Sequence, residues 1–237
     1  MKSVKFRMIA IALLSATMPF TAKAQDKVEA SVGADFVSNY IWRGTDCGGV
    51  SIQPSMGVSY KGLSLTAWGS VGIDKEDARE IDLTLGYNTG GFSVSVTDYW
   101  FSYHKEDGGY TGDYFKYGAH NTVHIFEATL GYDFGPLALS WNTYFAGDDY
   151  TKENGDRAYS TYVGISAPFK LGGLDWSAEV GLTPWEGAYA NKFNVTNLTL
   201  KAEKEIKFTN SFSLPTFAQV TFNPHTQGAY FVFGVSF

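Results

Sequence analysis

Charged and polar side chains of this 237-residue chain fall on a common parity within its alternating segments: Asp35, Asn39, Arg43, Asp82, Glu127 and Glu179, with Lys201, Glu203, Glu205 and Lys207 following at every second position of one segment. Held on one face, such groups can do two kinds of chemistry. Lining a wet passage, an excess of carboxylates over bases sets a field that favours cations or neutral polar solutes. In a dry interior, the same groups must be hydrated or zipped into Lys–Glu and Arg–Asp pairs. The spacing allows both arrangements. A solvated reading suits Asp107, Tyr110, Asp113 and Tyr114, which share the span 105–120 with Gly108, Gly109 and Gly112. That span predicts an external loop able either to bind a ligand or to fold into a channel mouth as a constriction.

Catalytic chemistry finds little support. The histidines are His104, His120, His124 and His225. His120 and His124 share a strand face, but four extended residues separate them by about 13 Å, too far for one metal. A general base needs a nucleophile within hydrogen-bond reach, and nothing in the sequence pairs Ser102 or Ser211 with a histidine. There is no G-x-S-x-G, phosphate loop, H-E-x-x-H or cysteine cluster. The single cysteine, Cys47, excludes an intramolecular disulfide. It sits beside Gly48-Gly49 in an expected surface turn, with no His or Lys adjacent to activate it. No cofactor or metal is implied, and the expectation is a non-enzyme.

The elements that must position these residues are strands. Leu63, Leu65, Ala67, Val71 and Ile73 alternate with Ser64, Thr66, Trp68, Ser70 and Gly72. Ile81, Leu83, Leu85 and Tyr87 alternate with Asp82, Thr84, Gly86 and Asn88, and the segments from Leu137 and Leu174 repeat the pattern. Strands are expected near 27–44, 50–60, 63–73, 79–88, 91–104, 121–133, 137–147, 157–169, 174–186, 192–208, 211–223 and 229–237. Connections alternate between two or three residues (Lys61-Gly62, Gly135-Pro136, Thr209-Asn210) and much longer spans (105–120, 148–156). A soluble β-sandwich also alternates, but the short–long rhythm and even strand count match an up-and-down barrel in a membrane. Closure is required there, because lipid leaves a free sheet edge unpaired. The prediction is an all-β fold: a 12-stranded antiparallel transmembrane up-and-down β-barrel over 25–237.

Aromatics fit the rims of such a barrel. Tyr40, Trp42, Trp100, Tyr103, Tyr144, Tyr159, Trp185 and Tyr189 fall near one rim, and Tyr60, Tyr87, Tyr132, Phe134, Phe169 and Phe208 near the other. Inward Trp68, Tyr99, Tyr144 and Tyr162 would narrow a bore already below that of wide porins. Asp98 breaks the pattern, following Phe92, Val94 and Val96 on the oily face. Either a bulge near Thr97 turns it inward, or it lies above the hydrocarbon.

The termini place the chain. Lys2, Lys5 and Arg7 precede an apolar run from Met8 to Ala16, followed by Ala22-Lys23-Ala24. This pattern predicts a cleaved signal peptide over 1–24, its apolar run too short for a membrane span. Its removal takes four bases and moves the formal charge from −6 to −10, which argues against a nucleic-acid partner. At the other end, Phe231, Phe233, Val235 and Phe237 alternate with small residues. That pattern resembles the closing strand by which bacterial outer-membrane barrels engage their assembly machinery.

Ala34-Asp35-Phe36-Val37-Ser38-Asn39-Tyr40-Ile41-Trp42-Arg43-Gly44, with Ile52-Gln53-Pro54 and 62–70 after it, resembles the opening of a family of small outer-membrane porins called TorF-like. The chain's style is also similar to small barrels of Bacteroidetes-type bacteria. The resemblance implies a bacterial outer-membrane location, with membrane lipids and small solutes as partners. On the bottom-up reading Asn39 and Arg43 point inward near the outer mouth, with Asp82 or Asp98 as the partner of Arg43. Gly44 then ends the first strand before a turn at 46–49. The functional expectation is a porin-like channel for passive passage of small polar solutes or ions, with a cation preference. A closed structural or adhesive barrel working through its loops remains the alternative, and an outer-membrane lipid-modifying enzyme the lesser one.

Overall fold

The computed structural model describes residues 27–105, 109–118, 121–210 and 212–237. The signal-peptide region lies outside them, as do Asp107 and His120. Fourteen strands follow one another: β1 (Glu29–Val37), β2 (Tyr40–Trp42), β3 (Thr45–Gly48), β4 (Ser51–Tyr60), β5 (Leu63–Gly72), β6 (Arg79–Thr89), β7 (Phe92–Ser102), β8 (His124–Asp133), β9 (Ala138–Gly147), β10 (Thr161–Leu171), β11 (Leu174–Thr183), β12 (Asn194–Lys207), β13 (Ser213–Asn223) and β14 (Gly228–Ser236). Twelve of them close into an antiparallel barrel, each pairing with its neighbours in sequence and β1 joining β14 to β4. The remaining two, β2 and β3, form a separate hairpin.

Period-2 patterning explains which side of each strand faces out. Leu63, Leu65, Leu83, Leu85, Val94, Val96, Leu139, Trp141, Leu200 and Phe233 are all exposed apolar groups on the outer wall. Trp68, Tyr99, Tyr144, Tyr162, Glu127 and Gln219 are buried inside. A soluble domain would invert this, so the wall is built for lipid, with its backbone paired strand to strand. Lys61 and Gly62 show why the short turns can be two residues long. Both take positive φ, 49° and 87°, the backbone of the tight turn that matches strand twist.

Three departures from the sequence reading concern the wall and its first hairpin. The first strand was expected to run to Gly44, but β1 leaves the wall after Val37 and the next residues form β2–β3. The tight turn is accordingly Trp42-Arg43-Gly44-Thr45 rather than 46–49. No bulge turns Asp98 inward: it pairs in register with Leu83 on one side and Phe126 on the other. The register shifts of the wall lie instead at Phe126/Glu127 and Gly181/Leu182. Asp98 stays on the outer wall because His124 answers it, with Nδ1 2.7 Å from Oδ1. His124 Nε2 meets the Tyr114 carbonyl at 2.7 Å. Both ring nitrogens of His124 are therefore engaged, one by the Asp98 carboxyl and one by the loop backbone.

Candidate functional site in the barrel lumen

The β2–β3 hairpin folds into the lumen and places Arg43 at its tip. Arg43 (φ 50°) and Gly44 (φ 80°) both adopt the left-handed region that the turn demands. Only glycine fits at 44, since a Cβ there would come within 1.9 Å of the Thr196 carbonyl oxygen. The Gly44 carbonyl accepts from Asn223 Nδ2 at 3.0 Å, seating the tip against the inner face of β13.

Arg43 is held from all sides. Its Nη1 and Nη2 donate to Glu127 Oε2 and Oε1 at 2.5 and 2.9 Å, a bidentate pair. Nη1 also donates to the Tyr189 hydroxyl at 2.6 Å. The guanidinium lies 4.3 Å from the Trp42 ring centre and 4.8 Å from that of Tyr162. Tyr99 donates to Glu127 at 2.9 Å, and Tyr189 donates to Tyr144 at 3.1 Å. Arg43 and Glu127 are 5% and 1% exposed, so the pair is dry. Such a pair contributes little net stability, but losing one partner strands a buried charge.

The rest of the hairpin fills the lumen around this latch. Ile41 packs with Val37, Phe217 and Val232. Tyr40 meets Trp68 at 5.5 Å, and Trp42 meets Tyr99 and Tyr189. A cavity of about 20 Å³ remains between Asp35, Asn39, Gln53 and Gln219, room for a water or two. Cys47 lies in β3, half-buried within the barrel mouth rather than in an open surface turn. Burial pushes its thiol up, and Glu80 and Asp46 add to the effect.

Toward the short-turn end the lumen changes character. Ser59, Ser64, Ser93, Ser95, Ser140 and Ser177 point inward, are small, and are all partly exposed. The lumen is thus a polar vestibule on the short-turn side, stopped by aromatics and the hairpin on the long-loop side.

The site residues expected from sequence are distributed between these halves. Arg43 and Glu127 form the latch, and Arg43 pairs with neither Asp82 nor Asp98. Asn39 donates to the Gly48 carbonyl within the hairpin at 3.4 Å. Glu179 accepts from Tyr162 at 2.5 Å and from Asn197 at 3.1 Å. Asp82 lies behind the hairpin, its Oδ1 buried without a hydrogen-bond partner among the described residues. Asp35 is buried beside the cavity. Lys201 lies over Phe217 and reaches Glu203 at 2.5 Å. Glu203, Glu205 and Lys207 are exposed at the short-turn rim.

Among the described residues, the lumen is narrowed by residues 38–50 and the aromatics around them, and not by the 105–120 loop. The described part of that loop packs on the outer wall, with Tyr114 against Trp100 and His124. Tyr110 accepts from Arg79 at 2.5 Å and stacks under it, while Asp113 is solvent-exposed. Tyr40, Trp42, Tyr144 and Tyr189, assigned from sequence to the outer aromatic rim, belong to the lumen instead. The six aromatics assigned to the other rim are all exposed on the outside. Tyr189 was not among the predicted site residues, because it lies in the connection between β11 and β12, where strand parity says nothing.

Two further chemistries can be weighed against this geometry. Among the described residues, no three His, Cys, Asp or Glu side chains are grouped to hold a metal. His124 is fully buried with both nitrogens engaged, which leaves no lone pair free to act as a base.

No family model and no curated protein matches the chain. Among solved structures it is similar to BamA from Haemophilus ducreyi lacking POTRA domains 1–3, with 12% identity and a TM-score of 0.39 over 81% of this chain and 41% of that one. It is also similar to CdiB from Acinetobacter baumannii, with 13% identity and a TM-score of 0.39 over 90% of this chain and 59% of that one. The chain therefore spans less than two thirds of either protein's length. What the wall itself establishes is a β-barrel membrane protein with a half-plugged lumen.

Proposed function

We propose that this protein is an outer-membrane channel for small polar solutes or ions, resting closed, with the β2–β3 hairpin as its gate. The observation that carries the reading is the graded lumen. A stretch lined by small, partly exposed serines leads up to one short, separately folded hairpin. A barrel meant only as a scaffold has no need of a polar vestibule that ends at a removable stopper. The inward acids Asp35, Glu80, Asp82, Glu127 and Glu179 outnumber the inward bases Arg43 and Lys201, which supports a cation preference once the gate is open. The Phe237-terminated strand and signal-like leader support the bacterial outer membrane as the location, with its assembly machinery and lipids as partners. A TorF-like relationship rests on residues 34–44, with 52–54 and 62–70 after them; 40–44 of that stretch belong to the gate.

The dry Arg43–Glu127 latch favours a second reading, a permanently closed barrel acting through its loops. Planar-bilayer recording decides between them. The channel reading expects discrete openings and a reversal potential shifted toward the cation under a salt gradient. Absence of openings from folded protein, at any voltage and in the latch variants described below, would leave the closed barrel.

A further inference from the structure

The seam between β1 and β14 is the shortest in the wall. Asp35–Ser236, Phe36–Val235 and Val37–Gly234 pair across it, with Ala34 and Phe237 exchanging backbone bonds of 3.2 and 2.9 Å just below and the Ser38 N–H donating to the Phe233 carbonyl just above at 2.9 Å. β14 continues outward to Gly228, paired with β13 as far as Asn223–Gly228. On its other edge, above Phe233, no strand pairs with it among the described residues, because β1 has already turned into the lumen. The barrel is therefore missing one strand's width at its long-loop end. The outer face there is apolar, with Phe231 69% exposed and Phe233 51%. A strand edge in such surroundings is under pressure to pair.

The segment that could pair with it is the one now in the lumen. Continuing the β1–β14 register places Tyr40 opposite Phe231 and Trp42 opposite Ala229. Alternation in that register puts Tyr40 and Trp42 on the outside at the aromatic rim, and Asn39, Ile41 and Arg43 on the inside. Residues 38–43 thus satisfy the rules of a barrel strand as well as those of a plug. The latch is also incomplete: Arg43 Nε and Thr196 Oγ1 beside it are buried without hydrogen-bond partners among the described residues. Water could reach both once the hairpin left.

We propose that the gate has two seats, and that on opening residues 39–42 leave the lumen and extend β1 along the free edge of β14. This deepens the channel reading and rests on it, since the unplugged lumen is the conducting one. The move trades the Arg43–Glu127 pair and the ring contacts for backbone pairing at Tyr40–Phe231 and Trp42–Ala229. It completes the wall as it opens the pore. The plugged seat predominates while Glu127 holds Arg43, and removing that partner shifts the population outward.

Thiol cross-linking tests the second seat without reference to conduction. In a Cys47→Ser background, Tyr40→Cys is combined with Phe231→Cys. The two side chains now lie on opposite sides of β14, since the Tyr40 ring contacts Trp68 inside the barrel and Phe231 faces out. A short bis-methanethiosulfonate reagent should link them slowly, and at least tenfold faster when Glu127→Gln is added. Phe36→Cys with Val235→Cys, an in-register pair in the present wall, calibrates the reagent. Complete linking of that control with none at 40/231 in either background overturns the two-seat gate. Bilayer recording of the linked protein then separates the two claims. A linked, conducting barrel supports both, whereas a linked, silent barrel supports the second seat and removes the channel reading.

Discussion

Arg43→Ala is the substitution that should most change the behaviour of this barrel. It removes both guanidinium bonds to Glu127, at 2.5 and 2.9 Å, the bond to Tyr189, and the stacking on Trp42 and Tyr162. Glu127 would then sit 1% exposed with the Tyr99 hydroxyl and a 3.4 Å contact from Thr129 as its remaining donors. Breaking a buried ion pair from one side costs about 3–5 kcal/mol. Charged to the plugged conformation alone, that is a shift of roughly 150- to 4,000-fold in the closed-to-open ratio. The wall strands are untouched, so heat-modifiable electrophoretic mobility should still report a folded barrel. Single-channel recording should show open probability rising from rare events toward saturation. Glu127→Ala should act in the same direction. The double variant should shift the ratio by less than the sum of the singles, because it strands neither charge. Open probability unchanged in both single variants, with the barrel folded, would refute the latch as what holds the hairpin.

Three other outcomes follow from particular contacts. Gly44→Ala drives a Cβ to within 1.9 Å of the Thr196 carbonyl at φ 80°, and should unseat the hairpin and raise ion flux, whereas Gly172→Ala, with φ 62° but nothing within 4 Å, should leave flux unchanged. Because burial raises the Cys47 thiol above its usual range, little thiolate forms near pH 8, so iodoacetamide should alkylate it far more slowly than a model thiol and speed up in Arg43→Ala as the hairpin leaves the lumen. His124→Ala removes the contact that ties the Tyr114 carbonyl to the wall, so trypsin should cut at exposed Lys116 sooner than in the parent while the barrel stays folded; equal cutting rates would show that the loop is held by something else.

Much of this fold can be read from the sequence because lipid imposes a strict code. Two-residue alternation locates the wall strands from β4 to β14 to within a few residues, and the Lys61-Gly62 and Gly172-Gly173 pairs mark turns that need positive φ. The first strand is where the code fails. Tyr40 and Trp42 fall on the outward parity and Asn39 and Arg43 on the inward one, so local pattern fits a strand to Gly44 as well as it fits a hairpin. What selects the hairpin is tertiary: Glu127 lies 84 residues from Arg43 along the chain, and Tyr189 lies 146 away. Parity correctly puts Glu127, Glu179 and Lys201 inside, but it carries no information on which of them meet. Asp98 shows the same limit. Its outward face is evident from Val94 and Val96, while its compensation by His124 depends on strand pairing between β7 and β8. The loop around Tyr114 offers no periodicity at all, so its docking on the outer wall rather than in the mouth was invisible.

The register of the wall allows the stopper to be removed cleanly. Val37 pairs with Ser51, so deleting Tyr40–Gly48 leaves Ser38-Asn39-Gly49-Val50 as a short connection between residues already aligned. Ion flux through that deletion variant in planar bilayers, measured beside the parent, tests most directly whether the hairpin alone closes a water-filled barrel. Sustained, cation-favouring conductance from the variant against a nearly silent parent is the expected result; a folded deletion variant that stays silent would contradict it.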